Sequence, residues 1–410
     1  MQQKIYPAEE HKLSLDQIDR EALYVMEKLR AAGYIAYLVG GSVRDLLLGK
    51  KPKDFDISTS AEPEEIKQLF RNCILIGRRF RLAHIRFGKK VIEVATFRSG
   101  DIESADLVIR DNVWGSEEED VMRRDFTING LYYEPASQTI IDYVGGYPDT
   151  QRKYLRTIGQ PFLRFKQDPV RMIRLLKFQA RFGLEVDSDA RIALLECRHE
   201  ILKSSSPRIL EELLRMLESG SAGSFVHLMT EHGLLQMIVP VLGEFLETEA
   251  GKEVYSYLQE VDTTFHEPST PPIERSILVS CMLWPLFTKR VSAHFEERGH
   301  HPHLGEIYQE AQTLIDDIFG VFLHIPRRLK MEVGSILTSQ YRLTPLEKRR
   351  SPRLRVPHDP DFPLALKFLQ LRAALEPGLQ LIWEEWSQAI TSPLPVRSQR
   401  SRRRRRRRKS

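Results

Sequence analysis

Two carboxylates stand one residue apart near the start of this chain. In the run KDFDIST, residues 53–59, Asp54 and Asp56 alternate with Phe55 and Ile57. The pattern predicts a half-buried strand, on which side chains two apart point the same way. Like charges on one face repel and resist leaving water, so a cation between them is expected. A hard divalent ion on a triphosphate takes one or two carboxylates plus phosphate oxygens. Two such ions activate an attacking hydroxyl and stabilise the departing pyrophosphate. The bland alternative is a solvated strand end. Glu93 is the only acid in the apolar run VIEVATF, residues 91–97. A carboxylate there is costly unless neutralised, which makes it a candidate third metal ligand or an edge-strand Glu facing water.

Three further groups have chemical potential. LVGGSVRD, residues 38–45, puts Gly40 and Gly41 where a strand meets a helix, with Arg44 one turn in. Exposed backbone N–H groups and the positive end of a helix make a phosphate cradle, or simply a tight turn. RRDFTING, residues 123–130, sets Arg123 and Arg124 beside Asp125. Arginine grips phosphate with paired hydrogen bonds, and Asp125 could accept a ribose hydroxyl or join a metal cluster; a structural ion pair is the other reading. In KQDPVRMIRLLKF, Asp168 can cap a helix whose first position suits Pro169, and Asp168, Arg171 and Arg174 then share a face. A carboxylate with a guanidinium matches donor and acceptor patterns on a base edge; a solvated helix face is the alternative.

The positioning elements follow from periodicity. Residues 16–32 read as a helix stopped by Gly33, and IAYLVGG as a strand ending in glycines. SVRDLLLGK is a short helix closed by Gly49, and AEPEEIKQLF a helix with Pro63 in its first turn. CILIG, LAHIRFG and VIEVATFR read as strands, the last two as a hairpin. Residues 99–119 are polar and acidic and read as a loop. FTINGLYYEP and TIIDYVGG resume strand character. Beyond about Arg156 the patterns are helical, ending with helices near 363–374 and 383–390. Strands mixed with helices, followed by helices alone, give an α+β head on an all-α body.

Composition bounds the rest. The chain has 410 residues, 41% apolar and 29% charged, enough for two or three domains with a proper core. No apolar run reaches the ~18 residues that a membrane helix requires, and the N-terminus lacks the apolar segment of a secretory signal. Cys73, Cys197 and Cys281 are far apart in sequence, without metal spacing, and fit free buried thiols in a reducing cytosol. Residues 397–410 hold nine Arg and one Lys and no acid; removing them takes the net charge from +5 to −5. Such a tail is expected to be disordered and to bind phosphates in a salt-sensitive, sequence-independent way. His294, His300, His301 and His303 lack acids or cysteines at metal spacing.

In order, G-G-x-V-R-D, D-x-D, R-R-D-F-T-I-N and D-P-x-R resemble the class II polymerase-beta-type nucleotidyltransferases, which comprise bacterial poly(A) polymerases and CCA-adding tRNA nucleotidyltransferases. The likeness is close over residues 22–184. It implies that Gly40, Gly41 and Arg44 bind triphosphate, helped by Arg123 and Arg124. Asp54 and Asp56 hold metal, with Glu93 as third strand carboxylate, and Asp125 is an active-site acid near the ribose. DYVGGYPD, residues 142–149, resembles a hinge. Asp168 and Arg171 read the incoming base, with Arg174 on the same face. The family commonly has Glu-Asp before that proline; here it is Gln167-Asp168.

LIGRRFRLAHIRFG, residues 75–88, resembles the poly(A) polymerase branch, as do EEHKLS, the length of the helical region and the basic C-terminus. The implied reaction is transfer of AMP from ATP to an RNA 3′ hydroxyl with release of pyrophosphate. Two Mg²⁺ ions, or Mn²⁺ in their place, would assist. Arg78, Arg79, Arg81, Arg403 and Arg405 would hold RNA. The expected enzyme is a cytoplasmic monomer without a membrane partner. Its expected parts are a catalytic head at 1–150, a neck at 151–215, a body at 216–345, a C-terminal region at 346–396 and the tail at 397–410. A CCA-adding enzyme is the first alternative, and a non-catalytic RNA-binding protein the second.

Overall fold

The computed structural model describes residues 3–77, 82–99, 113–267, 271–346 and 356–391. Arg78, Arg79, Arg81 and the tail with Arg403 and Arg405 lie outside the described residues, as does most of the loop expected at 99–119. The chain divides into two compact units, Met1–Glu244 with Phe322–His324, and Phe245–Val321 with Ile325–Ser410.

In chain order the strands of the first unit are β1 (Lys4–Tyr6), β2 (Ala36–Val39), β3 (Asp56–Thr59), β4 (Cys73–Ile76), β5 (Leu82–Phe87), β6 (Lys90–Thr96), β7 (Arg98–Ser99), β8 (Val113–Trp114), β9 (Leu131–Glu134), β10 (Thr139–Asp142), β11 (Tyr154–Leu155) and β12 (Glu185–Val186). Among the described residues, eight of them form one mixed sheet in the order β1-β10-β9-β2-β3-β6-β5-β4. Every neighbouring pair is antiparallel except β3 with β6. The helices before and between them are α1 (Ala8–His11), α2 (Arg20–Ala31), α3 (Gly41–Leu47) and α4 (Pro63–Leu69). Val25, Met26 and Leu29 of α2 and Ile66 of α4 pack with Leu38, Ile57, Ala83, Ile85, Ile92 and Val94 on one sheet face. The opposite face around β2 and β9 carries a second cluster, Tyr37, Val39, Phe97, Val121, Tyr132 and Ile158. Burial on both faces explains why these strands read as apolar runs rather than alternating ones.

Several boundaries differ from the sequence reading, each for a local reason. The first long helix starts at Arg20, because the Asp19 carboxylate accepts the N–H groups of Glu21 and Ala22. Residues Leu15–Gln17 form a separate 3₁₀ turn capped by Ser14. The strand carrying the acid pair starts at Asp56. Val39↔Asp56 is the last pair of the β2–β3 ladder, and beyond it β2 turns away at Gly40, leaving Asp54 in the approach to the strand. The segment expected to be loop up to Glu119 contains the start of a helix, α5 (Glu117–Met122), whose Ser116–Glu119 capping box closes its first turn.

After β10 come α6 (Gly146–Arg152), α7 (Pro161–Gln167), α8 (Val170–Phe182), α9 (Ser188–Cys197), α10 (Ser206–Leu217), α11 (Ala222–Glu231), α12 (Leu234–Ile238) and α13 (Pro240–Leu246). The small parallel pair β11–β12 interrupts the expected all-helical stretch. Asp142, buried at the end of β10, accepts four backbone N–H groups from Val144, Gly145, Gly146 and Tyr147 and so builds the turn into α6. Gly146 cannot carry a side chain, since a Cβ there would lie 2.1 Å from the Thr127 carbonyl oxygen.

The second unit contains α14 (Lys252–His266), α15 (Arg275–Arg298), α16 (Leu304–Phe319), α17 (Arg327–Leu343), α18 (Phe362–Leu375) and α19 (Gln380–Thr391). Leu343, Phe362, Ala365, Leu369 and Trp386 form one of its cores, and the Trp386 indole donates to the Leu343 carbonyl at 3.2 Å. The three cysteines are buried and free. Among the described residues no helix is long and apolar enough to cross a membrane.

Candidate active site

The acid cluster is built by strand register. Ile57 pairs with Val94 across the parallel β3–β6 ladder. One step back on each strand, Asp56 and Glu93 sit side by side on the opposite face from those core residues. Asp54 stands two residues earlier, just outside the ladder. Burial pushes the Asp56 carboxyl up to about 6, and the negative charges of Glu93 and Asp54 push the same way against the pull of Arg124. The three carboxylates therefore put more negative charge on one spot than Arg124 offsets. Glu93 has one cationic neighbour when His84 is protonated, the cross-strand imidazole at 3.3 Å.

Among the described residues no three His, Cys, Asp or Glu side chains are gathered closely enough to enclose an ion by themselves. The donor set fits a hard cation held by one or two carboxylates and completed by phosphate oxygens, the usual arrangement for Mg²⁺. It does not form a dedicated protein cage.

Beside the acids lies the Gly40–Gly41 turn. Gly40 has φ +65°, a conformation that favours glycine, and a Cβ on it would press on the Arg124 guanidinium at 3.1 Å. Arg124 is held by Asp120 at 2.8 Å, Ser58 Oγ at 3.3 Å and the Asn129 carbonyl at 3.3 Å, and it lies 5.4 Å from the centre of the Tyr132 ring. Burial opposes its charge, but Asp120 and the surrounding acceptors outweigh burial and raise its pKa. It is the cation nearest the acid cluster that the sequence reading placed on phosphate.

Arg44 occupies a different setting. It is buried, with Nε donating to Asp45 at 2.9 Å and Nη1 to the Asn129 side chain at 2.6 Å. Phe178 and Phe182 flank its guanidinium, 4.6 and 4.9 Å from the ring centres. Its bonds tie α3 to the 3₁₀ turn Thr127–Asn129, and its ring contacts reach α8. Asp45 also receives Arg181 at 2.9 Å.

Asp125 is likewise buried and saturated. One oxygen accepts Asn129 Nδ2 and the Phe126 N–H, each at 2.9 Å, and the other accepts Arg174 Nε at 2.7 Å. Burial alone would raise its pKa. Arg174, Asn129 and Arg171 outweigh burial and hold the carboxyl far below the ordinary range. Arg174 continues to Glu212 at 3.3 Å, which also accepts from Lys177 at 2.8 Å. Asp125 and Arg174 thus join the strand-rich part of the unit to α8 and α10.

Asp168 and Arg171 differ from these saturated groups. Asp168 Oδ2 accepts from Arg208 at 2.9 Å, and Arg171 Nη2 donates to the Arg123 carbonyl at 3.0 Å. Asp168 Oδ1 and Arg171 Nη1 are both buried without a hydrogen-bond partner. A buried acceptor and a buried donor on neighbouring side chains, both unsatisfied, are costly unless a ligand completes them.

Sequence reasoning did not single out Asp120, Asn129, Asp45, Arg181, Glu212 or Arg164. The Ser116-x-x-Glu119 box could have announced the helix that carries Asp120. Arg164 and Glu212 carried no local signal, because their roles arise only from tertiary contact.

A mixed sheet with clustered acids and a glycine turn, followed by helices, defines a nucleotidyltransferase. Solved structures share this fold. A "tRNA-processing enzyme (apo form I)" matches with TM-score 0.64 at 21% identity, covering 96% of both chains. The Bacillus stearothermophilus CCA-adding enzyme in complex with CTP matches with TM-score 0.59 at 24% identity, covering 90% of this chain and 81% of that one. The poly A polymerase head domain model matches residues 36–156, and the model described as the probable RNA and SrmB-binding site of polymerase A matches residues 183–246. Poly(A) polymerase I of Escherichia coli O157:H7 is 36% identical over 95% of this chain and 86% of its own length. The Haemophilus influenzae enzyme of that name is 35% identical over 93% and 86%. The CCA-adding enzyme of Geobacillus stearothermophilus is 34% identical over 57% of this chain and 56% of its own length. The chain belongs to the bacterial poly(A) polymerase family.

Proposed function

We propose that the chain transfers adenylate from ATP to the 3′ hydroxyl of RNA without a template, releasing pyrophosphate and repeating the step to build a poly(A) tail in the cytoplasm. The observation that carries this reading is the likeness to poly(A) polymerase I along 86% of that enzyme's length. The CCA-adding relative reaches little more than half.

Asp54 and Asp56, with Glu93 beside them, would hold Mg²⁺ or Mn²⁺ together with triphosphate oxygens. When bound, the ions lower the pKa of the attacking hydroxyl and neutralise charge on the leaving group. The burial of Asp56 and the negative charge that Glu93 and Asp54 set around it support this assignment. The Gly40–Gly41 turn lets backbone N–H groups approach the phosphates, and Arg124, fixed by Asp120, faces the same region. Asp168 Oδ1 would accept the exocyclic amino proton of the base and Arg171 Nη1 would donate to its ring nitrogen. Adenine and cytosine present that donor–acceptor order on their pairing edges, whereas guanine and uracil present the reverse. The pair accounts for rejection of GTP and UTP. The preference for ATP over CTP rests on the relatives. Asp125, Arg44 and Arg174 organise the wall between the two subsites. Arg78, Arg79, Arg81 and the tail arginines Arg403 and Arg405 would contact primer phosphates.

The deciding experiment supplies ATP alone with an unstructured RNA primer, and long tails are expected. Extension confined to tRNA lacking its CCA end, with CTP required, would give the reading to CCA addition. No elongation of any primer would leave a binding protein. Asp54→Ala or Asp56→Ala should abolish transfer while RNA binding through the tail persists.

A further inference from the structure

We propose that Arg164, held by Gln167, is the positioning residue that sets the Asp168–Arg171 pair for the incoming base. The inference rests on the reading of that pair as the base contact.

Arg164 is 3% exposed and sits in the last turn of α7, directly ahead of Asp168. Its Nη2 reaches the carbonyls of Met122, Arg123 and Arg124 at 3.3, 2.8 and 2.7 Å. These carbonyls end α5, where backbone oxygens lack intrahelical partners and the helix presents its negative pole. One guanidinium therefore clamps the segment that delivers Arg123, Arg124 and Asp125.

Arg164 reaches both members of the recognition pair, Arg171 through its side chain and Asp168 through its backbone carbonyl. The Arg123 carbonyl accepts from Arg164 at 2.8 Å and from Arg171 at 3.0 Å, so Arg164 fixes the oxygen against which Arg171 is braced. The Arg164 carbonyl accepts the Asp168 N–H at 3.2 Å. With Nη2 so engaged, Arg171 is left presenting its unpartnered Nη1; its Nε lies 4.0 Å from Asp168 Oδ2, and Asp168 Oδ1 is unpartnered as well. Displacing the Arg123 carbonyl would loosen the bond that orients the Arg171 guanidinium and so turn its free Nη1 away from the base edge.

Gln167 supplies the other end of the clamp, with Oε1 accepting from Arg164 Nη1 at 3.0 Å. Arg164 is thus a buried cation whose acceptors are all neutral amides. Planarity matters here: the two terminal nitrogens diverge in one plane, one toward the carbonyls and one toward Gln167, an arrangement that a lysine ammonium cannot reproduce.

The test measures kcat/KM for ATP, UTP and GTP in Arg164→Lys, Gln167→Leu and Gln167→Glu, with thermal melting to verify folding. We expect the ATP:UTP ratio to fall at least tenfold in Arg164→Lys and in Gln167→Leu, with most of the loss in KM for ATP rather than in kcat. Gln167→Glu keeps an acceptor and should stay within threefold of wild type. Unchanged ratios in Arg164→Lys and Gln167→Leu would overturn the proposal, as would a loss confined to kcat. Should Arg164→Lys fail to fold, Gln167→Leu decides alone, since it leaves the carbonyl clamp in place. A wild-type chain that incorporated CTP as well as ATP would remove the poly(A) reading, yet the ATP:UTP ratio would still test Arg164.

Discussion

Replacing Asp56 by Asn should make the metal-free protein more stable and leave it inactive. The Asp56 carboxyl is pushed up from an ordinary value near 3.8 to about 6, by burial first and then by Glu93 and Asp54. A shift of roughly two units corresponds to about 3 kcal/mol between the protonated and ionised forms. Because the folded value is raised, the native state binds the extra proton, and stability falls as pH climbs from about 4 to about 6. Above pH 6 the full cost is present. Asparagine keeps the size and removes the charge, so it should recover up to about 3 kcal/mol at pH 7.5 in chelator and almost nothing at pH 3.5. For a unit of this size that is a melting shift of about 6 °C. The assay is thermal melting of wild type and Asp56→Asn at the two pH values, with chelator and then with Mg²⁺ and ATP. Ligand should stabilise wild type and not the variant. A variant no more stable than wild type at pH 7.5, or a difference independent of pH, would refute the claim that these acids strain one another until a cation arrives.

Other substitutions test neighbouring claims. Gly40→Ala forces a side chain into a left-handed backbone and against Arg124; we expect a loss of about 1–2 kcal/mol in stability and a rise in KM for ATP, measured by melting and initial rates. Asp125→Asn removes the charge that faces Arg174 and should cost about 3 kcal/mol or more in denaturant titration. That penalty should shrink in acid, where the wild-type carboxylate is itself lost, since its lowered pKa makes its contribution vanish as pH falls. Asp168→Asn should lower the ATP:UTP ratio at a cost of no more than about 1 kcal/mol in stability, measured by melting, because the ion pair it weakens is with the exposed Arg208.

The head was legible because its signals are local. A Pro at a helix start, a Gly-Gly turn after an apolar run and a hairpin around Gly88 each state their geometry within a few residues. The acid trio was legible only in part. D-x-D suggested one strand face, whereas the ladder ends at Asp56, because its partner strand departs at Gly40 and no sequence rule reports where a partner stops. The roles of the arginines were the least legible. Arg44, Arg124, Arg171 and Arg174 look alike in sequence, yet one packs against two phenylalanine rings, one faces the acids, one keeps a donor free and one bridges two carboxylates. Which arginine is spent on structure depends on acceptors as distant as Asn129 from Arg44 and Asp125 from Arg174, 85 and 49 residues away.

That division of labour has a mechanistic consequence. Arg44, Asp125 and Arg174 are linked through Asn129, which accepts from Arg44 at 2.6 Å and donates to Asp125 at 2.9 Å. The chain of bonds starts at the helix behind the glycine turn and ends on the helix that carries Arg171. Both ends of a nucleotide would therefore be gripped by elements tied through one buried amide. Asn129→Asp would set a second carboxylate against Asp125, replacing a donor by a like charge in a buried site. The variant should lose affinity for ATP and for free triphosphate together, whereas loss of one without the other would show that the two subsites are held independently. The measurement is competition binding of the two ligands in the presence of Mg²⁺, without primer, so that turnover plays no part in the outcome.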